Sequence, residues 1–233
     1  MAQIFHPSSN TLAKASILGG VFIAGAIAFA VYGFNVSDYQ TQVNVARAQP
    51  VQFSHEHHVA GLGIDCRYCH STVETANYAG MPATKVCMTC HSQVWTNADI
   101  LEPVRASWRE NKPLQWTRVH DLPDYVQFNH SIHVQKGVGC YSCHGEVDEM
   151  PLMWKENSLH MQWCLDCHRD PAKHIRSRDE VFAMAPRTVP AGKDPREFGE
   201  QLMKDYHVRT DIEQKEGFEK MPNPLTNCST CHY

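Results

Sequence analysis

The sequence predicts a mainly helical and irregular fold with little β-structure, carried on one N-terminal membrane-spanning helix. Three observations lead there. An uncharged apolar run of 18 residues fills 17–34. All 10 cysteines fall in copies of one short motif, C-x-x-C-H. A stretch holding two of those copies occurs twice, at 51–91 and at 126–168.

Taken in chain order, 1–16 is a short leader expected in the cytoplasm. The run at 17–34 is just long enough to cross a bilayer as a helix. Lys14 precedes it, which agrees with an inside N-terminus. Ala28-Phe29-Ala30 resembles a signal-peptidase site, but the run is read as a retained anchor. Gly20, Ala24 and Ala28 give it a stripe of small residues of the kind that lets a second helix approach in lipid. A linker covers 35–50. The first module is 51–91, a Pro-rich charged connector is 92–125, and the second module is 126–168. A polar arm follows at 169–227, with a helix predicted near 195–207. Asp194 supplies its N-cap, Pro195 sits at N1 and Glu197 at N3, and Phe198, Leu202 and Tyr206 form one apolar stripe. The last motif fills 228–233. A net charge of −4 gives no reason to expect nucleic acid as a partner.

The motif carries the chemistry. Its copies are Cys66–Cys69–His70, Cys87–Cys90–His91, Cys140–Cys143–His144, Cys164–Cys167–His168 and Cys228–Cys231–His232. Two thiols three positions apart on one helical turn can form thioethers with the two vinyl groups of a porphyrin, and the adjacent histidine then serves as the proximal iron ligand. A disulfide framework would not require a histidine after every second cysteine. Zinc ribbons could pair the first unit with the second and the third with the fourth, but would leave Cys228, Cys231 and five histidines unexplained. The reading is five covalently bound haem c groups, sharing a chain too short to bury much core without them. Covalent attachment takes place outside the cytoplasm, so the haem domain is expected on the periplasmic side of the cytoplasmic membrane.

The duplication selects sixth ligands. VQFSHEHHV at 51–59 and VQFNHSIHV at 126–134 are identical at six of nine positions. His55 and His58 match His130 and His133, whereas His57 matches Ile132 and is set aside. Two histidines at i and i+3 lie on one side of a helical turn. His55 and His58 are therefore assigned to the irons of the first module, and His130 and His133 to those of the second. For the fifth iron the candidate is His160, with Met161 or Met81 as alternatives, since methionine also binds haem iron. His6, His120, His174 and His207 follow no pattern and are read as surface or structural. With every iron six-coordinate no site is open to a substrate, so no catalytic residue is assigned.

The N-terminal anchor, the duplicated F-x-H-x-x-H, MP-x4-CMTCH and MQWCLDCH together resemble the pentahaem cytochrome c subunit of alternative complex III. The F-x-H-x-x-H and C-x-x-C-H combination alone is shared with small multihaem cytochromes of the c3/c7 type. The resemblance implies an electron-relay subunit of a respiratory or photosynthetic quinol:electron acceptor oxidoreductase, not an enzyme on its own. It also implies an iron–sulfur subunit, polytopic quinol-binding membrane subunits and a monohaem cytochrome c subunit as partners. A related quinone reductase complex has a similar subunit with six haems. Two other readings follow from the residues: a self-sufficient membrane-anchored quinol dehydrogenase, and a multihaem reductase, which the ligand count disfavours.

Overall fold

The structure is a computed structural model and describes residues 4–210 and 223–233. Residues 211–222, which belong to the predicted arm, lie outside the described residues. The chain divides into two units, residues 1–43 and 44–233.

The first unit is built on α1 (Ser8–Val36), a 29-residue helix. Its sequence carries one charge, Lys14, and is otherwise dominated by small and branched apolar residues. Such residues lose little when they face lipid, and an unbroken helix satisfies its own backbone groups there. No residue of α1 is buried, and it is long and apolar enough to cross a membrane. Ser37 ends it, with its N–H on the Phe34 carbonyl, and α2 (Asp38–Thr41) follows as a single turn.

The second unit contains only short elements. A π turn, Glu56–Gly61, precedes α3 (Cys66–Cys69) and α4 (Thr84–His91). Next come α5 (Glu102–Glu110), α6 (His130–Gln135), α7 (Tyr141–His144) and α8 (Met161–Arg169). The chain closes with α9 (Pro195–Asp205) and α10 (Cys228–Cys231). Among the described residues there are no strands, only two isolated bridges, Val126 with His232 and Val138 with Ile175.

Two small apolar clusters hold this unit. In the first, Val51, Leu101 and Val104 pack with Met88, Leu114 and Trp116, which ties the connector to the first module. The linker is strapped to the same connector by Gln49, whose amide exchanges hydrogen bonds with the backbone of Thr117 at 2.9 Å in both directions. In the second cluster, Ile175 packs with Phe198, Leu202 and Tyr206. That stripe runs along α9 to Tyr206 at its C-cap, and Asp194 caps the other end by accepting from the N–H groups of Arg196 and Glu197 at 2.9 and 3.0 Å. Gly199 lets α9 reach the backbone of Ala172, because a Cβ at 199 would overlap the Ala172 carbonyl, with its carbon 2.7 Å away.

The modules hold each other through carbonyl groups. The Glu56 N–H donates to Met150 of the second module at 3.2 Å, and the His130 N–H donates to Asn77 of the first at 3.1 Å. The last unit docks on the start of the second module, where the Gln127 N–H donates to the Cys231 carbonyl at 2.9 Å.

Candidate multihaem site

Each of the five C-x-x-C-H units sits on a helical turn: α3, α4, α7 with Cys140 at its N-cap, α8, and α10. Asp65 and Asn227 fix two of these turns by accepting from the N–H groups of Arg67 and Ser229. None of the ten cysteines is paired in a disulfide. Burial pushes the thiols of Cys140 and Cys167 up to about 11 and that of Cys143 to about 12. Among the described residues no group of three or more histidine, cysteine or carboxylate side chains is arranged to hold a bare metal ion.

The histidines are oriented by the backbone. Nδ1 of His58 lies 2.8 Å from the Ser54 carbonyl, and Nδ1 of His133 lies 2.7 Å from Asn129. His130 pairs with Asn77 at 2.9 Å, His70 with Gly80 at 2.7 Å, His91 with Val94 at 3.1 Å and His168 with Leu225 at 2.7 Å. A carbonyl only accepts, so in each ring Nδ1 carries the proton and Nε2 keeps its lone pair. A hydrogen-bonded Nδ1–H is the usual outer contact of a metal-bound histidine.

Ring separations test the fit to haem. Two imidazoles on opposite faces of one metal ion, each bonded through nitrogen at about 2 Å, place their ring centres about 6 Å apart. His58 and His91 are 6.2 Å apart, His133 and His168 are 6.2 Å apart, and His130 and His144 are 6.5 Å apart. The donors therefore fit haem c: paired thiols on a turn, an imidazole beside them, and a second imidazole across a gap the width of an iron. Burial also favours the neutral form, the one that binds metal, at His58, His130 and His133. It pushes His55 down to about 4, aided by His70 and His58, and His144 to about 3, aided by His120, His130, His70 and His55.

Not every candidate is brought to such a pair. His55 is part-buried with its Nδ1 out of solvent and without a hydrogen-bond partner. His160 is exposed at the N-cap of α8, and Met161 and Met81 are exposed as well. His232 lies under Tyr125, with ring centres 5.7 Å apart. His120, which the sequence reads as surface or structural, also lies beside the paired rings. His120 is part-buried, its Nε2 is out of solvent without a partner, and its ring is 4.3 Å from that of His144. Burial, then Lys155 and His130, push it down to about 4.

Fold and site together are those of a helical, cytochrome c7-like multihaem domain with one N-terminal apolar helix. Residues 51–103 match the family of cytochrome c7 and related cytochrome c. Over 152 residues the chain is 30% identical to the menaquinone reductase, multiheme cytochrome c subunit, of Nitratidesulfovibrio vulgaris. The alignment covers 65% of this chain and 65% of that relative.

Proposed function

We propose that this chain relays electrons through five covalently bound haem c groups, inside a membrane complex of the alternative complex III type that oxidises quinol. The observation that carries the reading is the set of three imidazole pairs with ring centres 6.2–6.5 Å apart. Each bound haem would supply an iron that takes up and releases one electron. The thioethers would form at Cys66, Cys69, Cys87, Cys90, Cys140, Cys143, Cys164, Cys167, Cys228 and Cys231. His70, His91, His144, His168 and His232 would be the proximal ligands. His55, His58, His130 and His133 are the distal ligands of the first four irons. His160 is carried forward for the fifth, because α8 packs against the turn that precedes α10. Ligands held by carbonyl bonds need not move when the iron changes charge, and that suits a relay. α1 is the anchor, with the haem domain on the periplasmic side. The partners are the iron–sulfur subunit, the quinol-binding membrane subunits and the monohaem cytochrome.

The test uses the chain alone, matured with haem, purified in mild detergent and shown to carry five haems. A reduced quinol analogue is expected to leave the α-band oxidised, while a chemical reductant develops it fully. Rapid reduction by quinol, blocked by a quinone-site inhibitor, would replace the relay with a self-sufficient quinol dehydrogenase. The likeness to a menaquinone reductase subunit favours a second reading, in which electrons run towards the quinone. The assembled complex separates the two readings. Quinol-driven reduction of a high-potential acceptor supports the first, and menaquinone reduction by a low-potential donor supports the second.

A further inference from the structure

Arg176 is only 2% exposed and is among the most deeply buried large side chains of the protein. Its Nη1 donates to three carbonyls: Glu180 at 3.2 Å, Ala183 at 3.2 Å and Ala185 at 3.1 Å. Its Nε has no hydrogen-bond partner. Among the described residues it forms no ion pair. A guanidinium keeps its charge in any protein setting, and a buried charge calls for an opposite one.

Its surroundings deepen the imbalance. Arg187 also has a buried Nε without a partner, while its Nη groups donate to the carbonyls of Ala172 and Pro195. The carboxylate nearby is Glu180, which bonds Thr188 through one oxygen and leaves the other buried and unpartnered. Arg176, fully buried, and Arg187, part-buried, thus each keep an unpartnered Nε, and among the described residues neither forms an ion pair with Glu180.

Position identifies the missing anion. The Arg176 side chain lies against Gly139, the residue before Cys140. A Cβ there would stand 2.6 Å from its Cδ and 2.7 Å from its Cζ, so only glycine admits it. The guanidinium carbon is 5.8 Å from the ring centre of Tyr141, inside the C-x-x-C-H unit. The Arg176 N–H donates to Gly137 and the Cys140 N–H to Val181, at 2.9 and 3.0 Å, so the arm clasps the entry to that unit. Haem c brings two propionates wherever it binds.

We propose that Arg176 is the counter-cation for a propionate of the haem held by Cys140, Cys143 and His144, and that it biases this haem towards the reduced state. This rests on the reading of that unit as a haem site. A fixed positive charge in a poorly solvated place stabilises the form holding one more electron. Arg176 is a positioning and tuning residue, not a catalytic one.

The experiment is a redox titration of the full haem-loaded chain, followed in the visible spectrum, for wild type, R176M, R176K and E180Q. Haem content and melting temperature are measured alongside. R176M is expected to lower the midpoint of one haem and leave the others in place. R176K keeps the charge but loses the planar guanidinium fork that fills this buried space, so it should melt earlier with that midpoint near wild type. E180Q removes the neighbouring negative charge and should raise the same midpoint, which keeps the test open if R176M does not fold. Unchanged midpoints in haem-complete R176M and E180Q would overturn the proposal, as would an R176K midpoint as low as that of R176M. A wild-type chain without haem on Cys140 and Cys143, read from peptide mass, would instead defeat the reading beneath it.

Discussion

In the first module the ring of Phe53 stacks on His58 at 4.4 Å and meets His55 edge-on at 4.9 Å. In the second, Phe128 stacks on His133 at 4.7 Å and meets His130 edge-on at 4.8 Å. His58 and His133 also share the same bond to the carbonyl four residues back. The local design is therefore copied, down to the angle of the rings. What differs is the covering. The first module leans on the connector through Val51, Leu101 and Val104. The second is wrapped by the arm, through Arg176, Val181 and the cluster around Ile175 and α9. The first histidine turn widens to a π turn, while Asn129 caps its counterpart into an α-helix. His130 finds Asn77 for its Nδ1, whereas His55 finds no partner. Duplication preserved the short-range contacts that orient the rings, and divergence went into the long-range contacts that bury them.

The widest gap between the modules should open at the arm. Gly199→Ala drives a methyl group into the Ala172 backbone, which cannot yield as a side chain would. We expect a loss of about 3 kcal/mol, read as a lower melting temperature, with the earliest spectral change in the fourth and third units. An unchanged melting curve would mean that the arm is not what secures the second module.

A smaller effect should show whether the copied histidines act alike, as the proposed ligand roles require. His58→Met and His133→Met should each raise the potential of one haem and only one. The size should be a fraction of the roughly 0.8 V that axial ligands span. The readout is a redox titration of each variant. Movement of two haems in either variant would break the equivalence of the modules.

The smallest effect lies in the connector. Glu102 bonds Arg109 and Arg105, which hold its carboxyl below the usual range. A carboxylate lowered in the folded state stabilises above its unfolded value, about 4.3, and that contribution fades as pH falls through the folded value. Glu102→Gln should therefore lower the melting temperature slightly at pH 7, and the difference should vanish in acid. A difference that persists in acid would point to packing instead of charge.

Local features could be read from the sequence because spacing encodes them. The C-x-x-C-H turns, the paired histidines behind each phenylalanine and the Asp194 cap are all set within five residues. His120 could not be read this way. The position matching it across the repeat is Val45, so duplication gave no signal, and its burial comes from packing beside His144. The exposure of His160 and the bonds by which the Met150 and Asn77 carbonyls accept from Glu56 and His130 are likewise products of packing between distant segments. The apolar stripe of α9 was visible, but its partner Ile175 was not, because nothing in a polar arm marks which residue turns inward.

The described residues bury only twelve hydrophobic side chains, in clusters as small as three. A chain that meagre in interior has little to fold around before its prosthetic groups arrive. Maturation and folding would then be one event. The thread would stay open while thiols are still being joined, and a copy that missed a group would fail to close. Proteases that clear unfinished chains would sort complete carriers from defective ones, with no dedicated inspector required.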